Sequence, residues 1–276
     1  MSRPAVDSAV ASSRTRAMTV PEFVAAKARG QRLVLVTAYD YTQARLVDEA
    51  GVDAVLVGDS LGMVVQGLPD VLGVTLEEMI YHTRCVSRGL KRALLIADMP
   101  FLTYQVSPEQ AVLNAGRLIK EGGAHAVKLE GGVRSRETIA ALVRADIPVM
   151  GHIGLTPQSV RRLGGFRVQR SREQLLQDAQ AVVEAGTFAV VIECVPSDIA
   201  TAITASIPVP TIGIGAGAGC DGQILVLHDL LGLYPDLRPR FVKRYGELGE
   251  QTIAAVRRFA EEVRQGTFPS PEYEVK

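Results

Sequence analysis

"ALLIADMPFLTYQVSPEQAVLNAGRLIKEGGAHAVKLE", residues 93–130, holds two apolar runs joined by a helical pattern, and each run ends in a carboxylate. The first run closes on Asp98 and the second on Glu130. A strand that is apolar along its whole length is buried on both faces, as in a parallel sheet covered by helices. Between the runs Pro108 opens a pattern that lasts to Glu121. Proline fits the first turn of a helix, where its missing N–H costs nothing. Strand, helix and parallel strand together make the repeating unit of an α/β fold.

The unit recurs in both directions. Apolar, β-branched runs begin near Leu33, Ala54, Ala93, Ala124, Pro148, Phe188 and Pro210, and helical patterns cover 43–50, 76–88, 108–121, 136–145, 172–185 and 197–205. Seven strands with helical crossovers favour a closed (β/α)8 barrel over an open doubly wound sheet. "QILVLHD" (223–229) fits the place of the eighth strand. It follows the seventh by only about seven residues, short for a crossover. With Asp221 as a cap it reads equally as a helix.

Thr19 and Glu22 form a capping box with Pro21 in the first turn, which predicts a short helix before the barrel, ending near Gly30. Residues 1–18 read as a polar tail without the continuous apolar stretch of a signal peptide. Residues 240–265 read as helices on the outside of the barrel. One barrel domain over 19–276 is expected, with no linker inside it.

Lys+Arg and Asp+Glu are both 30, so the net charge is zero. With no basic block, this argues against a nucleic-acid or anionic-membrane partner. No apolar run reaches the ~18 residues of a membrane span. Cys85, Cys194 and Cys220 are widely spaced without C-x-x-C, so neither a zinc ribbon nor a disulfide framework is indicated, and a reducing cytoplasm fits. Cys194, after an apolar run, reads as a small core residue.

Asp59 closes "DAVLVGD" and Glu193 closes "AVVIE", as Asp98 and Glu130 close their own runs. At the tips of parallel barrel strands these acids converge on the C-terminal mouth, where barrel enzymes build active sites. Crowded carboxylates repel, so their pKa values rise or a cation sits among them. Oxygen-only ligands at Asp59, Asp98 and Glu130 favour Mg²⁺ over zinc or copper. Lys128 lies two residues before Glu130 and faces the same side. It reads either as half of a buried ion pair or as an ammonium offered to a substrate oxyanion. His152, at a strand tip in "VMGHIGLTP", reads equally as a satisfied core histidine and as a substrate donor. His82, His125, His152 and His228 show no H-x-x-x-H spacing, which argues against zinc.

Two glycine motifs are set aside. "GDSLG" (58–62) matches a nucleophile elbow, but "MVVQGLPD" after it does not read as the required helix. "GIGAGAG" (213–219) satisfies a lax dinucleotide pattern, but it follows the seventh strand and no clear helix comes next. Its glycines read as a tight turn or as a close approach of backbone to a ligand.

"TAYDYTQARLVDEAG", "VGDSLGMVVQG", "ADMPF", "VKLEGG", "GHIGLTPQSV", "ECVP" and "GIGAGAGCDGQILVLHD" together resemble the ketopantoate hydroxymethyltransferase family, from about Leu33 to the C-terminus. Arg170 in "RVQRS" departs from the glycine of many members. The resemblance implies a (β/α)8 TIM barrel of the phosphoenolpyruvate/pyruvate-enzyme type, Mg²⁺-dependent, cytoplasmic and homodecameric. It implies transfer of a hydroxymethyl group from 5,10-methylenetetrahydrofolate to 3-methyl-2-oxobutanoate, the first committed step toward pantothenate and coenzyme A. It further implies Mg²⁺ at Asp59 and Asp98 with Glu130 beside it. The keto acid would contact Asp59, Ser60, Asp98 and Lys128, with His152 orienting it, and Glu193 would be the proton acceptor. A Mg²⁺-dependent C–C lyase on the same barrel is the rival enzyme, but a "KKCGH"-like cysteine loop is missing. A non-catalytic barrel subunit is disfavoured by the full set of acids and Lys128.

Overall fold

The computed structural model describes residues 16–275. They form two compact units, the first ending at Val226 and the second beginning at Leu227. The first holds eight strands: β1 (Leu33–Thr37), β2 (Ala54–Val57), β3 (Leu94–Asp98), β4 (Ala126–Glu130), β5 (Val149–Gly154), β6 (Ala189–Glu193), β7 (Thr211–Ile214) and β8 (Gly222–Leu225). Each pairs in parallel with the next, and β8 closes on β1 with Leu33 opposite Gly222. The closed barrel expected from the apolar runs is the fold observed.

Helices α1 (Val20–Ala28), α2 (Tyr41–Glu49), α3 (Leu61–Val64), α4 (Leu76–Ser87), α5 (Pro108–Lys120), α6 (Arg136–Arg144), α7 (Val160–Leu163), α8 (Arg172–Glu184) and α9 (Ser197–Ser206) alternate with the strands. Their starts are written locally. Thr19 and Thr75 make full capping boxes with Glu22 and Glu78, and Asp40, Ser107 and Ser171 accept N–H bonds at the starts of α2, α5 and α8. Each cap satisfies a donor that the first helical turn leaves open. The α3 turn corrects the expectation that no helix follows "GDSLG". Ser60 nevertheless has ordinary right-handed dihedrals (φ −52°, ψ −17°), unlike the strained serine of an elbow.

The barrel interior is filled by Leu35, Leu56, Ile96, Met150, Val191 and Ile224. Phe23 of α1 joins this core and meets Phe188 edge-on at 5.7 Å, so α1 covers the N-terminal end of the strands. Met18, expected in the polar tail, is buried in the same core, and its N–H donates to the Arg92 carbonyl at 2.8 Å. Residues 1–15 of the expected tail lie outside the described residues.

Both readings of 223–229 hold in part: β8 ends at Leu225, and a single helical turn, α10 (Leu227–Leu230), follows in the second unit. Asp221 caps no helix. Its carboxylate accepts from the Thr211 N–H at 2.9 Å and from Lys27 Nζ at 3.0 Å, which seats β8 beside β7 without a helical crossover. The glycine loop before it turns tightly, with φ +62° at Gly215 and +80° at Gly217. A Cβ on Gly219 would stand 2.1 Å from Thr201 Oγ1, so these glycines serve the turn and its packing on α9.

In the second unit the helix expected from residue 240 begins later, as α11 (Leu248–Arg264). Residues before it form turns, with the Val242 N–H bonded to the Pro239 carbonyl and the Tyr245 N–H to the Leu230 carbonyl.

Candidate active site

Parallel pairing places the expected residues at one end of the barrel. Asp98 and Glu193 are the last residues of β3 and β6, Lys128 and Glu130 lie in β4, His152 lies in β5, and Asp59 follows β2 by two residues. In register, Asp98 faces Lys128 and Glu130 faces His152 on the neighbouring strand. Asp59, Asp98, Lys128, Glu130 and His152 are all buried, whereas the Glu193 side chain keeps 16% of its surface open.

Lys128 Nζ lies 2.6 Å from Asp98 Oδ1 and 3.3 Å from His152 Nδ1. The other Asp98 oxygen accepts the Asp59 N–H at 3.1 Å. His152 Nδ1 stands 3.6 Å from Glu130 Oε1, and its Nε2 stands 3.2 Å from Glu193 Oε2. The imidazole therefore separates the β4 acid from the β6 acid. His152 is buried and partnered within the protein, through Lys128 at Nδ1. Ser60 Oγ lies 2.9 Å from the Tyr39 hydroxyl, at the start of α3.

Crowding shifts these groups. Burial, reinforced by the Asp98 charge, pushes the Asp59 carboxyl up to about 7. Burial and the Asp59 charge raise Glu130 well above the carboxylate range. Burial alone would lower Lys128, but Asp98, Glu130 and Asp59 hold it above the ordinary lysine value, so it stays cationic. Burial and the Lys128 charge lower His152, which favours the neutral imidazole.

Among the described residues no group of three or more His, Cys, Asp or Glu side chains is so placed as to hold a metal ion by itself. The donor set still fits a hard cation that keeps several waters and takes one or two carboxylates, as Mg²⁺ does. Three buried acids share one lysine here, so Asp59 and Glu130 retain protons in the metal-free protein, and a divalent ion would compete with those protons for the oxygens.

Sequence reasoning passed over Gln158 and Tyr104. Gln158 lies in the turn after β5, in the quoted "GHIGLTPQSV", and its amide donates to Asp59 Oδ2 at 2.8 Å. Tyr104, in the loop after β3, has its hydroxyl 2.7 Å from Gln158 Oε1. Burial, then the Glu130 charge, raises the Tyr104 phenol, which keeps it a proton donor. A cavity of about 440 Å³ opens beside Tyr104, Glu130 and Gln158, with Phe101, Arg134 and Arg162 on its walls. A larger concavity of about 720 Å³ lies among the starts of β3, β4 and β5, away from the acids.

The family model for ketopantoate hydroxymethyltransferase matches residues 17–271. The chain is 59% identical over 263 residues to the 3-methyl-2-oxobutanoate hydroxymethyltransferase of Moorella thermoacetica, covering 94% of this chain and 98% of the relative. Among solved structures it resembles phosphonopyruvate hydrolase in complex with oxalate and Mg⁺⁺, with TM-score 0.61, 18% identity and 92% and 93% of the two chains covered. It also resembles 2,3-dimethylmalate lyase, a PEP mutase/isocitrate lyase superfamily member, with TM-score 0.57, 18% identity and 92% of each chain covered. At such identities the likeness is one of fold.

Proposed function

The chain belongs to the ketopantoate hydroxymethyltransferase family, and from that premise we propose how its barrel mouth converts 3-methyl-2-oxobutanoate to ketopantoate. The relatives' shared activity favours one-carbon transfer over C–C lysis, and the lyase-like neighbours contribute fold alone.

Asp59 and Asp98 would hold Mg²⁺, with Glu130 beside them. Bound there, the ion would supply Lewis-acid polarisation of the substrate's keto group, which makes the C3 hydrogen more acidic. Lys128 sits at the same edge, kept cationic by three acids, and faces the oxygen on which negative charge develops. Glu193 removes the C3 proton. It comes from a different strand and is the most open of the four strand-tip acids, so it reaches the substrate carbon while the others stay in the cluster. His152, with Nε2 3.2 Å from Glu193, orients that carboxylate by donating Nε2–H, and its neutral ring places no positive charge beside the base. Ser60 adds a hydroxyl on the β2 side.

The enolate carbon then bonds to the methylene carbon of 5,10-methylenetetrahydrofolate as one of its two C–N bonds breaks. Water displaces the second folate nitrogen and supplies the hydroxyl, and the proton taken by Glu193 and the remaining water proton end on the two freed nitrogens of tetrahydrofolate. A cytoplasmic homodecamer is the assembly in which the reading places this chemistry.

The observation that carries the reading is the Lys128–Asp98 pair set among buried acids, with Glu193 held apart by His152. Turnover of 3-methyl-2-oxobutanoate with methylenetetrahydrofolate tests it. Activity is expected to vanish in EDTA and return with Mg²⁺. Full activity in protein verified metal-free would sink the metal assignment.

A further inference from the structure

Gln158 is buried and ties together the tips of three strands. Its side-chain Nε2 donates to Asp59 Oδ2, after β2, at 2.8 Å and to the Met99 carbonyl, after β3, at 2.9 Å. Its main-chain N–H donates to Glu130 Oε2, the end of β4, at 3.0 Å. One residue thus occupies one oxygen of each of two acids and leaves the second oxygen of each available to the cluster.

The amide has only one workable orientation. Oε1 receives the Tyr104 hydroxyl at 2.7 Å and Gln105 Nε2 at 3.0 Å. Rotating the amide by half a turn would aim Oε1 at a carboxylate and a carbonyl, both acceptors, and point the NH₂ at the Gln105 donor. The Tyr104 hydroxyl is fixed in turn, lying 3.1 Å from the Glu130 main-chain N–H that donates to it. The turn that carries Gln158 over the mouth depends on Gly154. There φ is +91°, a Cβ would stand 2.3 Å from the Glu193 carbonyl oxygen, and the next N–H, of Leu155, donates to that carbonyl at 2.9 Å.

We propose that Gln158 is a positioning residue, which with Tyr104 holds Asp59 and Glu130 turned toward a divalent cation. The inference rests on the metal-dependent reading above. Outer partners of this kind typically govern 10–100-fold of metal affinity, because they fix which way a ligand oxygen points.

The test is Mn²⁺ binding to EDTA-stripped, full-length protein, read by the electron paramagnetic resonance of free Mn²⁺, beside melting curves of the metal-free proteins. Gln158→Met keeps length and apolar volume but removes the donors and the acceptor of the amide. Its Kd for Mn²⁺ is expected to rise at least about tenfold, and the metal-free melting temperature to fall as well, since the partners of the amide are left unsatisfied. A purely structural role would lower that melting temperature and leave Kd within threefold of wild type, which overturns the proposal. Should Gln158→Met not fold, Tyr104→Phe decides, since it deletes only the hydroxyl that aims the amide. A several-fold weaker Kd supports the proposal, and an unchanged one overturns it. Wild-type protein that binds no Mn²⁺ would remove the metal reading itself, an outcome distinct from a variant that binds as wild type does.

Discussion

Lys128 Nζ and Asp98 Oδ1 stand 2.6 Å apart, and the two residues are also register partners across β3 and β4. The ladder places the two residues opposite each other on neighbouring strands, so the pair spans one rung of the barrel. Both side chains are almost wholly buried. Removing one partner of such a pair is more damaging than the net worth of the pair, because the other charge is left without compensation.

Lys128→Met is therefore expected to cut turnover by on the order of 10²-fold, the scale of losing one donor to a developing oxyanion. The lysine pKa is raised in the folded state. Its stabilising contribution is accordingly full below the ordinary lysine value and is lost only as pH rises through the higher folded value. Melting of the variant should fall below that of wild type across neutral pH. A folded Lys128→Met enzyme with turnover reduced less than threefold would assign the lysine to structure alone.

The metal-free protein should lose stability as pH rises. Asp59 has an ordinary value of 3.8 and a folded value of about 7. Between those values the folded protein keeps a proton that the unfolded chain releases, so raising pH destabilises the fold until the folded value is passed. Glu130, also raised, acts in the same direction. His152 is lowered and acts oppositely below its ordinary value of 6.5. Melts of EDTA-treated wild type and Asp59→Asn at pH 5 and pH 8 isolate the aspartate: the variant should show a smaller decline. Equal slopes would remove Asp59 from the account. Cations compete with these protons, so Mn²⁺ affinity should strengthen up to about pH 7.

Glu193→Gln keeps shape and hydrogen-bonding reach but cannot take the proton as a carboxylate does. Mn²⁺ and 3-methyl-2-oxobutanoate should still bind. Exchange of the substrate C3 hydrogen in deuterated water, without folate, should collapse, on the order of 10²–10⁴-fold as general-base catalysis is worth. If exchange persists while hydroxymethyl transfer stops, Glu193 works in the folate step and another group is the base.

A purely structural prediction concerns Asp48 near the end of α2. Its buried carboxylate accepts the main-chain N–H groups of Arg92 at 2.9 Å and Ala93 at 2.8 Å, just where β3 begins. Asp48→Ala strands these two donors and should cost about 2–6 kcal/mol, since each buried unpaired group costs about 1–3. Thermal unfolding measures it, with Mn²⁺ affinity expected to stay at the wild-type value.

The barrel and the acids gathered at one end of it were legible in the chain because their signals are short-range. Apolar runs around Leu94 and Val190, caps such as Thr19 and Ser107, and the carboxylates ending each run depend on neighbours a few residues away. Parallel closure then carries Asp59, Asp98, Glu130 and Glu193 to one edge without further information. The division of 223–229 was not legible. Asp221 meets Lys27 across 194 residues, and that long-range anchor, rather than local propensity, makes Gly222–Leu225 a strand. Gln158 was hidden for the same reason. An isolated glutamine in a turn has no periodicity and no charge to mark it, and its meaning lies in an amide bond to Asp59, 99 residues away. The neutral His152 likewise depends on burial and on the Lys128 charge from the next strand. Local patterns select the strands and arm their tips, while the partners and protonation of those tips come from neighbours that only the closed barrel brings within hydrogen-bonding distance.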